Sequence, residues 1–93
     1  MPVIRWTEPA AGDLTRICDY IREHDGPNRA RRIALAIHES ITSLRRFPDI
    51  GRPGRRSGTR ELVVRKLPYL IIYRVREDVV EIARILHGAQ KWP

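Results

Sequence analysis

Gly58-Thr59-Arg60-Glu61-Leu62-Val63-Val64, then Pro68-Tyr69-Leu70-Ile71-Ile72-Tyr73-Arg74-Val75, then Arg84-Ile85-Leu86-His87-Gly88-Ala89-Gln90-Lys91-Trp92-Pro93 are the runs that decide the fold. β-Branched and aromatic residues are frequent in the second of them, and the predicted strands they carry are separated by short breaks. The pattern predicts strands over 60–66, 69–75 and 79–87. Leu67-Pro68 fills the first gap and Arg76-Glu77-Asp78 the second. Two tight connections in succession predict an antiparallel meander, because a parallel pair needs a long crossover.

Upstream, Pro48, Gly51, Pro53, Gly54 and Gly58 punctuate residues 48–59 and predict a loop carrying Arg52, Arg55 and Arg56. Before it the apolar period becomes helical. Ala30, Ile33, Ala34, Ile37, Ile41 and Leu44 share one face of a helix that stops before Pro48, and Gly26-Pro27 separates it from an earlier one. That earlier helix carries Ala10, Leu14, Ile17, Cys18 and Ile21 on its apolar stripe and runs to about His24. Thr7 is its expected N-cap, with Glu8 and Pro9 in the first turn, where an acid suits the helix dipole and proline loses no hydrogen bond. Val3-Ile4-Arg5-Trp6 is a short first strand. The order is β-α-α-β-β-β: an α+β fold with a helical hairpin packed on an antiparallel sheet, read as a single domain over residues 1–93.

With 42% apolar and 31% charged residues the chain has the composition of a folded globular protein. Cys18 has no cysteine to pair with, and its place on an apolar stripe predicts a buried, inert thiol. Met1-Pro2-Val3-Ile4-Arg5 lacks the apolar run of a secretory signal, no window reaches a membrane-span length, and the expected location is the cytoplasm. The formal charge of +7 is uneven. Between Arg45 and Lys66 eight basic residues face two acids, so +6 falls within 22 residues. A basic stripe of this kind concentrates anionic partners, whether nucleic acid or an acidic peptide.

Alternation predicts Tyr69, Ile71, Tyr73 and Val75 on one face and Leu70, Ile72 and Arg74 on the other. In a regular last strand, Val80, Ile82, Arg84 and Leu86 oppose Val79, Glu81, Ala83, Ile85 and His87, so Arg84 and His87 point to opposite faces. His87 is placed to act as a general acid or base near neutral pH, against the plainer reading of a histidine bonded to a backbone carbonyl. Tyr69, Tyr73 and Trp6 read as packing aromatics, and Trp92 as a tail anchor or partner contact. His24 and His38 have no spaced cluster of metal ligands, so no metal and no cofactor is expected.

Asp13-Leu14 with Ile17-x-x-Tyr20-Ile21, Leu44-x-x-Phe47-Pro48, Gly51-Arg52-Pro53-Gly54 and the three strand runs occur together in the order found in RelE/ParE toxins, and the chain resembles that family over almost its whole length. The resemblance implies a growth-inhibiting toxin of a type II toxin–antitoxin module, held in a hetero-oligomer by a small antitoxin with an acidic C-terminal segment. It implies one of two targets. RelE-like relatives are ribosome-dependent mRNA endonucleases that activate a ribose 2′-hydroxyl; ParE-like relatives poison DNA gyrase and are not enzymes. A third reading is a non-toxic member that binds only antitoxin and operator DNA. A RelE-like activity would draw on Arg60, Glu61, Arg65, Lys66, Arg84 and His87, whereas antitoxin or target contacts would draw on Arg52, Arg55, Arg56, Arg60, Arg65, Arg74, Arg84 and Trp92. Where RelE-like relatives usually carry a strand arginine this chain has Leu70, and the terminal His-Tyr pair of some relatives is His87-Gly88 here. The resemblance therefore leans to a ParE-like gyrase poison.

Overall fold

The structure is a computed structural model that describes residues 1–88. Strand β1 (Val3–Trp6) leads into helix α1 (Glu8–Asp25). Thr7 caps α1 as expected: its backbone is extended, and its Oγ1 accepts from the Ala10 N–H at 3.1 Å. The same hydroxyl lies 3.0 Å from the carbonyls of Ile82 and Ala83, and the Thr7 N–H donates to Ile82 O at 3.1 Å. One residue thus starts the helix and ties it to the sheet. Gly26 alone joins α1 to helix α2 (Pro27–Ser43). Its φ of 92° is open to glycine and strained for other residues, while a Cβ there would meet nothing within 4 Å. Backbone conformation, not space, demands the glycine.

The strands that follow are β2 (Arg52–Pro53), β3 (Arg60–Val63), β4 (Tyr69–Arg76) and β5 (Val79–His87). They form a sheet of order β1-β5-β4-β3-β2 with the expected meander at its centre. Three features depart from the sequence reading. First, the sheet is mixed: β1 runs parallel to β5, and the helical hairpin is the crossover that a parallel pair requires. Second, residues 52–53 of the expected loop pair with β3, and Pro53 is tolerated because β2 is the sheet edge. Third, β3 stops at Val63, three residues early. Val64-Arg65-Lys66-Leu67 forms a turn closed by Leu67 N–H on Val64 O at 3.0 Å, with Lys66 at φ 63°. The second tight turn, at Glu77-Asp78, holds Glu77 at φ 56°.

The last strand is not regular either. Ile72 pairs with Arg84 but Tyr73 pairs with Ile82, so Ala83 is an extra residue. This bulge reverses the alternation. Val80 and Ile82 face the helices before it, and Ile85 faces them after it. The face assignments drawn from a regular strand therefore fail beyond Ile82, although Arg84 and His87, three apart on the same side of the bulge, keep opposite parity.

The core lies between the helices and one sheet face. Ala10 and Ile21 of α1 and Ala30, Ile33, Ile37 and Ile41 of α2 meet Ile71, Tyr73, Val80, Ile82 and Ile85. Ile4, Trp6, Leu14, Ile17 and Tyr69 pack around this cluster, which bears out the packing role given to Trp6 and the two strand tyrosines. Cys18 is half-buried rather than buried, and burial pushes its thiol up, toward the protonated form.

Candidate functional site

Past Trp6 no strand among the described residues pairs with the β1 side of β5, and that edge would be left open. Asp13 of α1 closes it. The carboxylate is 5% exposed, and Oδ2 accepts from Arg84 Nε at 2.7 Å and from the Ile85 N–H at 2.9 Å. Oδ1 accepts from Arg84 Nη2 at 2.9 Å and Arg16 Nη2 at 2.8 Å. Burial pushes this carboxyl up, but the bonds from Arg84, Ile85 and Arg16 outweigh it and hold the group below the usual carboxylate range. The same contact raises Arg84. Arg84, a candidate for RNA chemistry and for partner contacts, is thus a structural cation in a two-pronged pair.

Beside Asp13 opens a groove of about 390 Å³ between α1, the start of α2, the β3–β4 turn and the end of β5. Ile17, Ile21, Ile33, Leu67, Tyr69 and Ile85 give it an apolar floor, and Arg16, Asp25, Arg29 and His87 its charged or polar rim. Tyr20, 63% exposed, stacks on His24 at 4.0 Å between ring centres beside this opening. His87 is exposed, and its ring meets that of Tyr69 edge-on at 5.7 Å. Burial raises the Tyr69 hydroxyl above its ordinary value, so it is a poor base at neutral pH.

A second, smaller cavity of about 210 Å³ gathers Arg52, Arg55, Glu61, Leu70 and Gly88. Glu61 is 6% exposed and accepts from Arg52 Nε and Nη2 at 3.2 and 3.1 Å and from the Arg55 N–H at 3.3 Å. It is a counter-ion for the short edge strand. Arg60 is committed elsewhere: its Nη1 donates to Gly51 O at 2.8 Å and to Asp49 O at 3.2 Å. Arg74 lies 3.8 Å from Glu81. Arg65 and Lys66 are exposed in their turn. Arg55 and Arg56 are exposed at the loop crest, where the Arg56 carbonyl accepts from the Thr59 hydroxyl at 2.6 Å. Trp92 lies outside the described residues. Among the described residues no group of three His, Cys, Asp or Glu converges as a metal site, and no helix is long and apolar enough to cross a membrane.

The candidates are therefore distributed rather than assembled. Arg60 and Glu61 point to opposite faces of β3, Arg84 turns to α1, and His87 sits at a groove mouth. Two residues that the sequence reading quoted without giving them a site role organise the region. Asp13 had a signal: with Ala10, Leu14, Ile17 and Ile21 it falls on the apolar stripe of α1, where a carboxylate needs a cation. Gly51 had none. Its N–H donates to Tyr73 Oη at 2.8 Å, and a Cβ would come within 2.7 Å of that oxygen and 2.9 Å of the Glu61 carbonyl.

The sequence model of one family, described as the ParE toxin of type II toxin-antitoxin system, parDE, matches residues 4–92. Protein Y4kP of Sinorhizobium fredii is 44% identical over 90 residues, covering 97% of this chain and 92% of that protein. Toxin RelE2 of Caulobacter vibrioides is 41% identical over 90 residues, covering 97% and 99%. Among solved structures, a chain of the chromosomal ParDE TA system from P. aeruginosa superposes with a TM-score of 0.86 at 30% identity, over 94% of this chain and 96% of that one. The chain belongs to the ParE toxin family of type II toxin–antitoxin systems.

Proposed function

We propose that this toxin acts without nuclease chemistry, as a gyrase poison, and that an acidic antitoxin neutralises it in the cytoplasm as a hetero-oligomer. The observation that carries the first half is the Asp13–Arg84 pair. Cleavage through a 2′-hydroxyl needs a base near the hydroxyl and cations near the phosphate, held within hydrogen-bond reach of one another. Here the strand arginine is bound to a helix, Arg60 to a loop, and His87 lines a groove with its ring against Tyr69. The RelE-like alternative has one feature in its favour: Arg65 and Lys66 are exposed at the β3–β4 turn, where cations could meet RNA.

The groove beside α1 supports the antitoxin half. Its apolar floor suits the apolar stripe of an amphipathic segment, and Arg16 and Arg29 at its rim suit that segment's carboxylates. Rim pairs of this kind contribute little, so the apolar anchors dominate affinity. The test runs both target assays on one preparation. Purified toxin should inhibit supercoiling by gyrase and leave mRNA on translating ribosomes intact. Ribosome-dependent cleavage with gyrase unaffected would overturn the assignment in favour of the endonuclease. Growth unimpaired by soluble toxin would leave only the non-toxic binding module.

A further inference from the structure

The chain contains a single phenylalanine, and the fold does not bury it. Phe47 is 56% exposed, and Ile50, three residues on, is also 56% exposed. Tyr73, whose hydroxyl makes it the harder of the two aromatics to bury, is 0% exposed. An arrangement serving stability alone would reverse this. The tyrosine's buried hydroxyl has a use: Oη donates to Pro48 O at 2.8 Å and accepts from the Gly51 N–H at 2.8 Å. Arg60 ties down the carbonyls of Asp49 and Gly51, and the Ile50 N–H closes a turn on Phe47 O at 3.2 Å. The backbone of residues 47–51 is thus held from beneath, while its two apolar side chains project into solvent. Apolar side chains carried on a backbone already held in place need less ordering on binding, which favours an efficient anchor.

We infer that the Phe47–Ile50 knuckle is the surface through which the toxin grips its protein target, and that the target offers an apolar pocket with a carboxylate rim. The charge around the knuckle sets the rim. Exposed Arg45 and Arg46 precede it, the Arg46 guanidinium lies 5.7 Å from the Phe47 ring centre, and Asp49 is already matched by Arg60. The knuckle shares no residue with the groove given above to the antitoxin. That groove lies beside the first turns of α2 and the knuckle lies beyond its last. The groove reaches along α2 as far as Ile33, and residues 34–43 of that helix separate it from the knuckle by about 15 Å. The inference rests on the chain's being a toxin with a protein target, but not on that target's being gyrase.

The experiment compares wild type with Phe47→Ala/Ile50→Ala in the full chain, using three readouts. These are inducer level for growth arrest, inhibition of gyrase supercoiling, and rescue by the protein encoded in the neighbouring antitoxin reading frame. The double variant should need at least tenfold more toxin for arrest, yet bind that protein within twofold of wild type and melt at the same temperature. Tyr73→Phe keeps both apolar side chains but loosens their support, and should weaken arrest to a lesser degree. Should the double variant not fold, Ile50→Asp, at an exposed position, carries the same reading. Arrest unchanged by the knuckle variants, or antitoxin binding lost in parallel with toxicity, overturns the inference. So does a wild-type chain that leaves growth untouched. Arrest that depends on the knuckle while gyrase is unaffected upholds the inference and removes the gyrase reading.

Discussion

Two of the buried polar centres among the described residues, at Asp13 and at Tyr73, are built for different ends. At one, the Asp13 carboxylate accepts four hydrogen bonds, three of them from arginines, and joins α1 to the unpaired edge of β5. At the other, the neutral Tyr73 hydroxyl makes two bonds and holds the loop after α2. The ionic centre closes the fold and engages its arginine in that contact. The neutral centre stabilises a surface, and what that surface displays is apolar. A buried charge must be matched completely or not used, whereas a buried hydroxyl is satisfied by two backbone groups and can hold them without an ion.

If the comparison is right, the ionic centre is the more damaging one to break. Asp13→Ala leaves Arg84 and the Ile85 N–H without their acceptor and should lower unfolding free energy by about 3 kcal/mol in urea denaturation at neutral pH. The centre is also the one that titrates. Because Asp13 is held below its ordinary value, its stabilisation is present above about pH 4, the range of an unfolded carboxylate, and fades as pH falls through the lower folded-state value. Asp13→Asn should therefore be less stable than wild type at pH 7, with the gap narrowing toward pH 3. A constant gap would mean that another carboxylate controls acid unfolding.

The neutral centre should give a smaller effect with no acid dependence. Tyr73→Phe removes the donor to Pro48 O and strands the Gly51 N–H, at a cost of about 1.5 kcal/mol. Burial first of all raises the Tyr73 hydroxyl above its ordinary value, so it stays protonated throughout the neutral range. Hydrogen exchange should show the Gly51 amide opening while the Ile85 amide remains protected. Equal loss of protection at both amides would merge the two centres into one cooperative unit. The smallest effect belongs to Arg16, which shares Asp13 with Arg84 but has a side chain 69% exposed. Arg16→Ala should change stability by about 0.5 kcal/mol. A loss as large as that of Asp13→Ala would show that the exposed arginine, not Arg84, holds the pair together.

Much of this could be read along the chain because it is local. Thr7 as a cap, the apolar stripes of both helices, the break at Gly26 and the three meander strands each depend on residues within a turn or a pleat of one another. The site was far less legible. Arg84 looked like a free strand cation because its partner lies 71 positions away in sequence. Arg60 looked free because its acceptors are main-chain carbonyls, which carry no side-chain signature. The bulge at Ala83 has no marker residue, and it alone moves Ile85 into the core face.

The sequence by itself determined the order of elements, the helical hairpin, the meander and the concentration of positive charge between Arg45 and Lys66. Periodicity, capping and tight-turn spacing are properties of neighbouring residues, and so is a count of charges. Only the tertiary structure decided that β1 would lie parallel to β5 and that Asp13 would neutralise Arg84 at the edge β1 leaves open. The same holds for the buried tyrosine that supports an exposed phenylalanine. Each of these is a choice between pairings of similar local merit. Such choices are resolved where backbone groups left unpaired by one element find their partners on another.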